Sequence, residues 1–140
     1  MSTLRLKIVT PKKVVVDIET SSVTAPTVEG EITLLPRHIR LFSQLKEGVL
    51  TYKKGSSEES FAIGGGFLET DGKVINILVS RAFGQSEIDE KLTKEAIDRA
   101  KKIIAESKDE AAIHQASLLL RHSLVDMKLL RRRKKPSNMS

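Results

Sequence analysis

Leucine and isoleucine alternate with charged residues near the start of the chain. Leu4, Leu6 and Ile8 are separated by Arg5 and Lys7, and Val14, Val16 and Ile18 by Val15, Asp17 and Glu19. A period of two collects one set of side chains on one face of an extended strand, so each run has a face to bury. Further runs lie at Ser22–Ala25, Ile32–Leu35, Gly48–Lys53, Ser60–Ile63, Gly66–Thr70 and Val74–Val79. Asp71-Gly72, between the last two, reads as a tight hairpin turn in which both residues take positive φ. Strands this short need partners, and their close spacing predicts an all-β sandwich of about ten short strands over residues 1–85.

After Arg81 the period changes. Ser86 followed by Asp89 is a capping-box pattern, and Ile88, Leu92, Ala96, Ala100 and Ile103 then recur every three or four residues. That spacing predicts an amphipathic helix of roughly 27 Å with a narrow, alanine-rich stripe. Ser107 and Glu110 repeat the capping pattern, so a turn at Ser107–Asp109 should open a second helix. Its apolar positions include Ala112, Ala116, Leu119, Leu120, Ser123, Met127 and Leu130. Two such helices suit an antiparallel hairpin over residues 86–133, followed by a disordered tail at 134–140 that contains Pro136. The fold class is α+β, a sandwich followed by a hairpin too small to be stable alone.

Charge sharpens this picture because of where it sits. The net charge is +6, and residues 121–135 hold seven cations against the single anion Asp126, so the first 120 residues are neutral overall. A neutral body with a basic end offers no footprint for nucleic acid on the sandwich. No stretch reaches the roughly 18 consecutive apolar residues of a membrane span, and the basic first twenty residues do not resemble a secretory signal, so the expectation is a cytosolic chain beginning at Met1. Without cysteine there are no disulfides, thiolate zinc sites or cysteine nucleophiles.

Catalytic chemistry is hard to build from what remains. His114 and His122 are eight residues apart on the second helix, too far for the i, i+4 pairing that zinc favours, and His38 follows Pro36 in a loop. Gly64-Gly65-Gly66 does not precede the Lys-Ser or Lys-Thr of a phosphate loop, so close backbone packing is the expected reason for the glycines. Neither a metal site nor a catalytic group is expected. The basic run from Arg131 to Lys135 is a solvated charge run or a contact with an acidic protein surface.

One segment is more specific. VTAPTVEGEITLLPRHIRLFSQLKEGVL, Val23 to Leu50, carries Pro-x-x-x-Gly-x-x-x-x-Leu-Pro-x-His and then Leu-x-x-Gly, filled by Pro26, Gly30, Leu35, Pro36, His38, Leu45 and Gly48. In order and spacing it resembles the signature region of the epsilon subunit of F-type ATP synthase. LKIVTPKKVVVD and FAIGGGFLETDGKVINILVSRA resemble that family's first and late strands, so with the hairpin the resemblance covers nearly the whole chain.

The resemblance implies a non-catalytic rotor subunit of the central stalk that couples proton flow to ATP synthesis. Its partners would be the gamma subunit, the c-subunit ring and the alpha/beta catalytic head, with no nucleic acid. It would sit peripherally on the cytoplasmic face of the cell membrane. Glu29, Gly30, Glu31 and Ile32 would stand on the c ring, and His38 would lie near gamma. In this family the hairpin folds against the sandwich or extends toward the head, where it inhibits ATP hydrolysis in some bacteria. The charge concentrated at Arg131, Arg132 and Arg133 makes these the expected inhibitory contact with an acidic surface of beta.

Some bacterial members bind ATP through Ile-Asp-x-x-Arg-Ala at the start of the first helix. Ile88 and Asp89 match, Leu92 and Thr93 replace Arg and Ala, and Arg99 matches a later arginine. The missing arginine is a charge-assisted donor worth about 1.5–3 kcal/mol, so ATP is expected to be at most a weak regulatory ligand, and no other cofactor is implied. The competing reading is an independent protein- or nucleic-acid-binding module that uses the basic end.

Overall fold

A computed structural model describes residues 3–37 and 40–133, and the chain divides into two compact units, Met1–Gly84 and Gln85–Ser140. The first unit holds ten strands: β1 (Leu4–Val9), β2 (Val14–Thr20), β3 (Ser22–Thr27), β4 (Gly30–Leu34), β5 (Leu41–Leu45), β6 (Gly48–Lys54), β7 (Ser57–Ile63), β8 (Gly66–Thr70), β9 (Val74–Val79) and β10 (Ala82–Gly84). They form one continuous sheet in the order β10-β7-β6-β3-β5-β8-β9-β1-β2, with β4 attached to β3. Strand β3 is the corner: its first half pairs with β6 through Val23 and Thr24, and Thr27 at its far end pairs with Leu45 of β5. The sheet thereby closes over one core, which includes the fully buried Leu6, Ile8, Val23, Leu50, Leu68 and Ile77.

The alternation expected of β1 holds, since Leu4, Leu6 and Ile8 are all buried. In β2 it holds only in part: Val16 is buried and Ile18 half-buried, but Val14 is 55% exposed. A register shift between Ile8 and Val9, next to the β1–β2 turn, places Val14 opposite Val9 and takes it off the core-facing phase.

The Asp71-Gly72 turn differs from the expectation in its geometry. Only Gly72 has a positive φ, 93°, and the ladder on either side of the turn closes with Thr70 paired to Ile75. The Asp71 carboxylate supplies the turn's order by accepting from the backbone N–H groups of Lys73 (2.8 Å) and Val74 (2.9 Å). These two bonds favour the ionised form and hold the Asp71 carboxyl below the usual carboxylate range.

The triple glycine is explained by close packing. A Cβ on Gly66 would collide with the Leu78 carbonyl oxygen and lie 2.8 Å from the Val79 Cα, and one on Gly64 would strike the Ser80 hydroxyl. Gly66 lets β8 approach the β9 backbone closely, as expected, and Gly64 makes room for the Ser80 side chain.

The second unit contains a 3-10 turn at Gln85–Glu87, α1 (Glu90–Glu106) and α2 (Glu110–Arg133), with the two helices packed against each other. The second helix starts directly after the expected turn at Ser107–Asp109, whereas the first starts later than its capping pattern indicates. Asp89, not Ser86, caps α1 by accepting from the Leu92 N–H at 2.9 Å. Ser107 closes α1, and Asp109 accepts from the Ala111 N–H at 3.1 Å to begin α2. The buried stripe also departs from the expected one at its first turn: Leu92 is 63% exposed and Thr93 takes the buried place, in phase with the buried Ala100. Thr93 can be buried because its hydroxyl donates to the Asp89 carbonyl oxygen at 2.7 Å. Gln85 donates through Nε2 to the Leu129 carbonyl oxygen, tying the 3-10 turn to α2.

Candidate protein interface

Strand register assembles the most distinctive surface of the sandwich. Val14 of β2 stands opposite Val9 of β1, Val9 opposite Leu78 of β9, and Leu78 opposite Phe67 of β8. Four apolar side chains therefore form one row across four strands, roughly 15 Å wide at the usual strand spacing. Leu78 is 54% exposed and Phe67 49%, and Phe42 of β5, 68% exposed, stacks on Phe67 with ring centroids 5.6 Å apart. Isolated exposed aliphatics are ordinary, whereas a continuous row with two stacked aromatic rings is a surface suited to contact with another molecule.

The next row on this face is polar: Asp17, Lys7, Asn76 and Glu69 occupy the neighbouring paired positions. Below it, Arg5 donates to Asp17 at 2.7 Å and to Glu19 at 3.3 Å, and Thr3 donates to Glu19 at 2.6 Å. The Arg5 bond holds the Asp17 carboxyl below its ordinary range, and the Thr3 hydroxyl, followed by Arg5, does the same for Glu19. These exposed pairs order the rim of the face and add little stability.

Residues 29–32 form the tip of the β3–β4 hairpin. Thr27 pairs with Gly30, leaving Val28 and Glu29 as a two-residue connection, and Gly30 has φ 124°, which an L side chain rarely adopts. Thr27 braces the tip by donating to the Gly30 carbonyl oxygen and accepting from the Glu29 N–H, and the Val28 N–H donates to the Gln44 carbonyl oxygen at 3.0 Å. The result is a braced projection with Val28, Glu29 and Glu31 exposed and Ile32 half-buried.

Other motif residues are structural. Leu45 is buried, and a Cβ on Gly48 would press on the Pro26 ring at 3.1 Å. The loop after β4 turns at Pro36-Arg37, where Arg37 has φ 64° and its N–H donates to the Gly72 carbonyl oxygen. Since this loop leaves the far end of β4, the Glu29–Glu31 tip and the loop are separated by about 15 Å of strand. His38 lies outside the described residues.

On the helical unit, Arg131 and Arg132 are exposed in the last turn of α2, which ends at Arg133. Cations there complement the negative end of the helix dipole. Ile88, Asp89 and Arg99 are not brought together: the Asp89 carboxylate caps α1, and Arg99 is ten residues on, about 15 Å along the axis. The polar tail expected at 134–140 lies outside the described residues. Among those described, no group of three His, Cys, Asp or Glu could hold a metal, and no helix is long and apolar enough to cross a membrane.

Phe42, Phe67 and Leu78 escaped the sequence reading. In VINILV both phases of the alternation are largely apolar, so a period of two does not say which face is buried. That double apolarity is itself the usable signal, because a strand needs apolar residues on both faces only when both are covered.

Known proteins supply the next constraint. The family described as "ATP synthase, Delta/Epsilon chain, beta-sandwich domain" matches residues 3–85. The ATP synthase epsilon chain of Alkalihalophilus pseudofirmus is 40% identical over 111 residues, 79% of this chain and 84% of that protein. That of Moorella thermoacetica is 34% identical over 129 residues, covering 91% and 96%. The chain belongs to the ATP synthase epsilon-chain family.

For this epsilon-family chain, a 129-residue alignment necessarily runs beyond the sandwich into the helical hairpin, so both units are shared with relatives. The fold is shared more widely. A chain in the structure of the Euglena gracilis mitochondrial ATP synthase, OSCP/F1/c-ring, superposes with a TM-score of 0.78 at 23% identity, over 96% of this chain and 83% of that one. A chain in the Tetrahymena thermophila mitochondrial ATP synthase central stalk/c-ring gives 0.57 at 15% identity, over 91% of this chain and 96% of that one. An independent nucleic-acid-binding module finds no support among these relatives.

Proposed function

We propose that this epsilon-family chain works as a non-catalytic rotor subunit, docked through its sandwich to the gamma subunit and the c ring, with a hairpin that restrains ATP hydrolysis. The observation that carries this reading is the apolar row of Val14, Val9, Leu78 and Phe67 with Phe42 stacked on it. A rotor subunit must stay attached while torque is applied, and a row that buries two aromatic rings and three aliphatic side chains supplies attachment without strand exchange. Gamma is the partner for that row. The braced tip at Glu29–Ile32 is the foot for the c ring: its backbone is fixed by Thr27 and Gln44, so force applied at Glu29 and Glu31 reaches the sheet rather than bending the turn.

The hairpin's basic end is the brake. Arg131 and Arg132 project from the end of a 24-residue helix, and with Arg133 they would reach an acidic surface of beta. Work in this assembly would put the chain at the cytoplasmic face of the membrane, peripherally. It uses no cofactor of its own. ATP at Ile88, Asp89 and Arg99 would be a weak ligand, because the Asp89 carboxylate is engaged as a helix cap.

Hydrolysis by a gamma-containing catalytic complex lacking its own epsilon subunit tests the reading. Added full chain is expected to lower the rate, and R131A/R132A/R133A to bind equally but restore most of it. A wild-type chain without effect on rate would remove the brake, and a triple variant that brakes as well as wild type would move the contact elsewhere.

A further inference from the structure

Beside the apolar row lies an open groove of about 460 Å³, whose lining includes Val9, Pro11, Gly65, Gly66, Phe67 and Leu78 and carries no charged side chain. Val9, Phe67 and Leu78 belong to both features, so the groove is the continuation of the row at its edge.

The three glycines at this edge are not equivalent. Gly66 is demanded by the fold, because a Cβ there would collide with the Leu78–Val79 backbone, and a Cβ on Gly64 would displace the Ser80 hydroxyl. Gly65 is not so constrained. A Cβ there would meet only the Leu45 carbonyl oxygen, at 3.6 Å, an ordinary contact, and its φ is outside the positive range. Its carbonyl oxygen accepts from the Ser80 N–H at 3.1 Å, a bond that any residue could make. A strand-edge glycine weakens the strand it borders, and here nothing inside the chain uses the missing side chain.

We infer that Gly65 keeps this groove open for a large apolar side chain of the gamma subunit, which inserts over the Gly65-Gly66 backbone as the anchor of the docked row. The inference rests on the reading that the row docks gamma. The uncharged lining selects an apolar occupant, and continuity with the row selects the same partner. A side chain seated in an uncharged groove gains affinity when the contacts around it exclude water, and the row that shares Val9, Phe67 and Leu78 with the groove supplies such contacts.

The test uses the full chain carrying Gly65→Leu, with Gly65→Ala as the smaller step, and measures thermal unfolding and affinity for a gamma-containing complex. Both variants are expected to unfold at the wild-type temperature. The Gly65→Leu substitution is expected to weaken binding at least tenfold and Gly65→Ala about threefold, while Gly66→Ala destabilises the chain itself. Should Gly65→Leu disturb folding, the Gly65→Ala variant carries the test at wild-type stability. Undiminished binding by a stable Gly65 variant overturns the inference and leaves gamma docking intact. A wild-type chain that ignores gamma but forms a dimer broken by Gly65→Leu also overturns it, assigning the groove to a second copy and removing the docking reading too.

Discussion

Asp71 shows how a single exposed carboxylate fixes a turn. It accepts from two successive backbone N–H groups, and the charged form is the better acceptor, so its pKa in the fold lies below that of the unfolded chain. A depressed carboxyl pKa stabilises the fold above the unfolded value, about 3.9, and that contribution disappears as pH falls through the lowered value. Asp71→Asn keeps an acceptor oxygen but not the charge. The variant should therefore unfold at a lower temperature than wild type at pH 7, and the two melting temperatures should converge as the pH falls below the ordinary carboxylate range. A gap that stays constant over this range would show that the charge of Asp71 is irrelevant to the turn. The same residue scale explains the glycines: Gly66 and Gly48 answer to atoms across the sheet, whereas a Cβ at Gly65 would make only an ordinary contact with the Leu45 carbonyl oxygen.

At the scale of elements, capping decides where the helices begin. Asp89→Ala removes the acceptor for the Leu92 N–H and is expected to cost about 1 kcal/mol, read as a loss of helical circular dichroism and an earlier melt of the hairpin, while Ser86→Ala should be silent. Equal effects from the two substitutions would restore Ser86 as the cap. Both residues are good caps, so sequence alone left the choice open to error; the structure selects Asp89, whose backbone is still extended while its carboxylate accepts from the Leu92 N–H. The strands were more legible. Short alternating runs are unambiguous where one phase is charged, as in β1, and ambiguous where both are apolar, as in β9. β5 and the three-residue β10 escaped the individual runs because LFSQL and AFG carry little period, and their pairing is supplied by β8 and β7. The apolar row was invisible for a deeper reason. It is made by register between four strands, and register is a property of the folded sheet.

At the scale of the whole molecule, the division of labour follows from composition. Residues 1–120, neutral overall, include the whole sandwich, whose face is read by shape and apolar contact, and the net charge lies toward the end of α2 and beyond. Docking and braking can then be separated by mutation, since the row belongs to the first unit and the arginines to the second. The central claim is that the row holds this chain on the central stalk. The most direct measurement is the affinity of the full chain, wild type and F67S/L78S, for a gamma-containing complex lacking its own epsilon subunit. Both residues are about half exposed, so the double variant should fold as wild type does. The expected result is one wild-type chain bound per complex and at least tenfold weaker binding by the variant; equal affinities of the two would contradict the account.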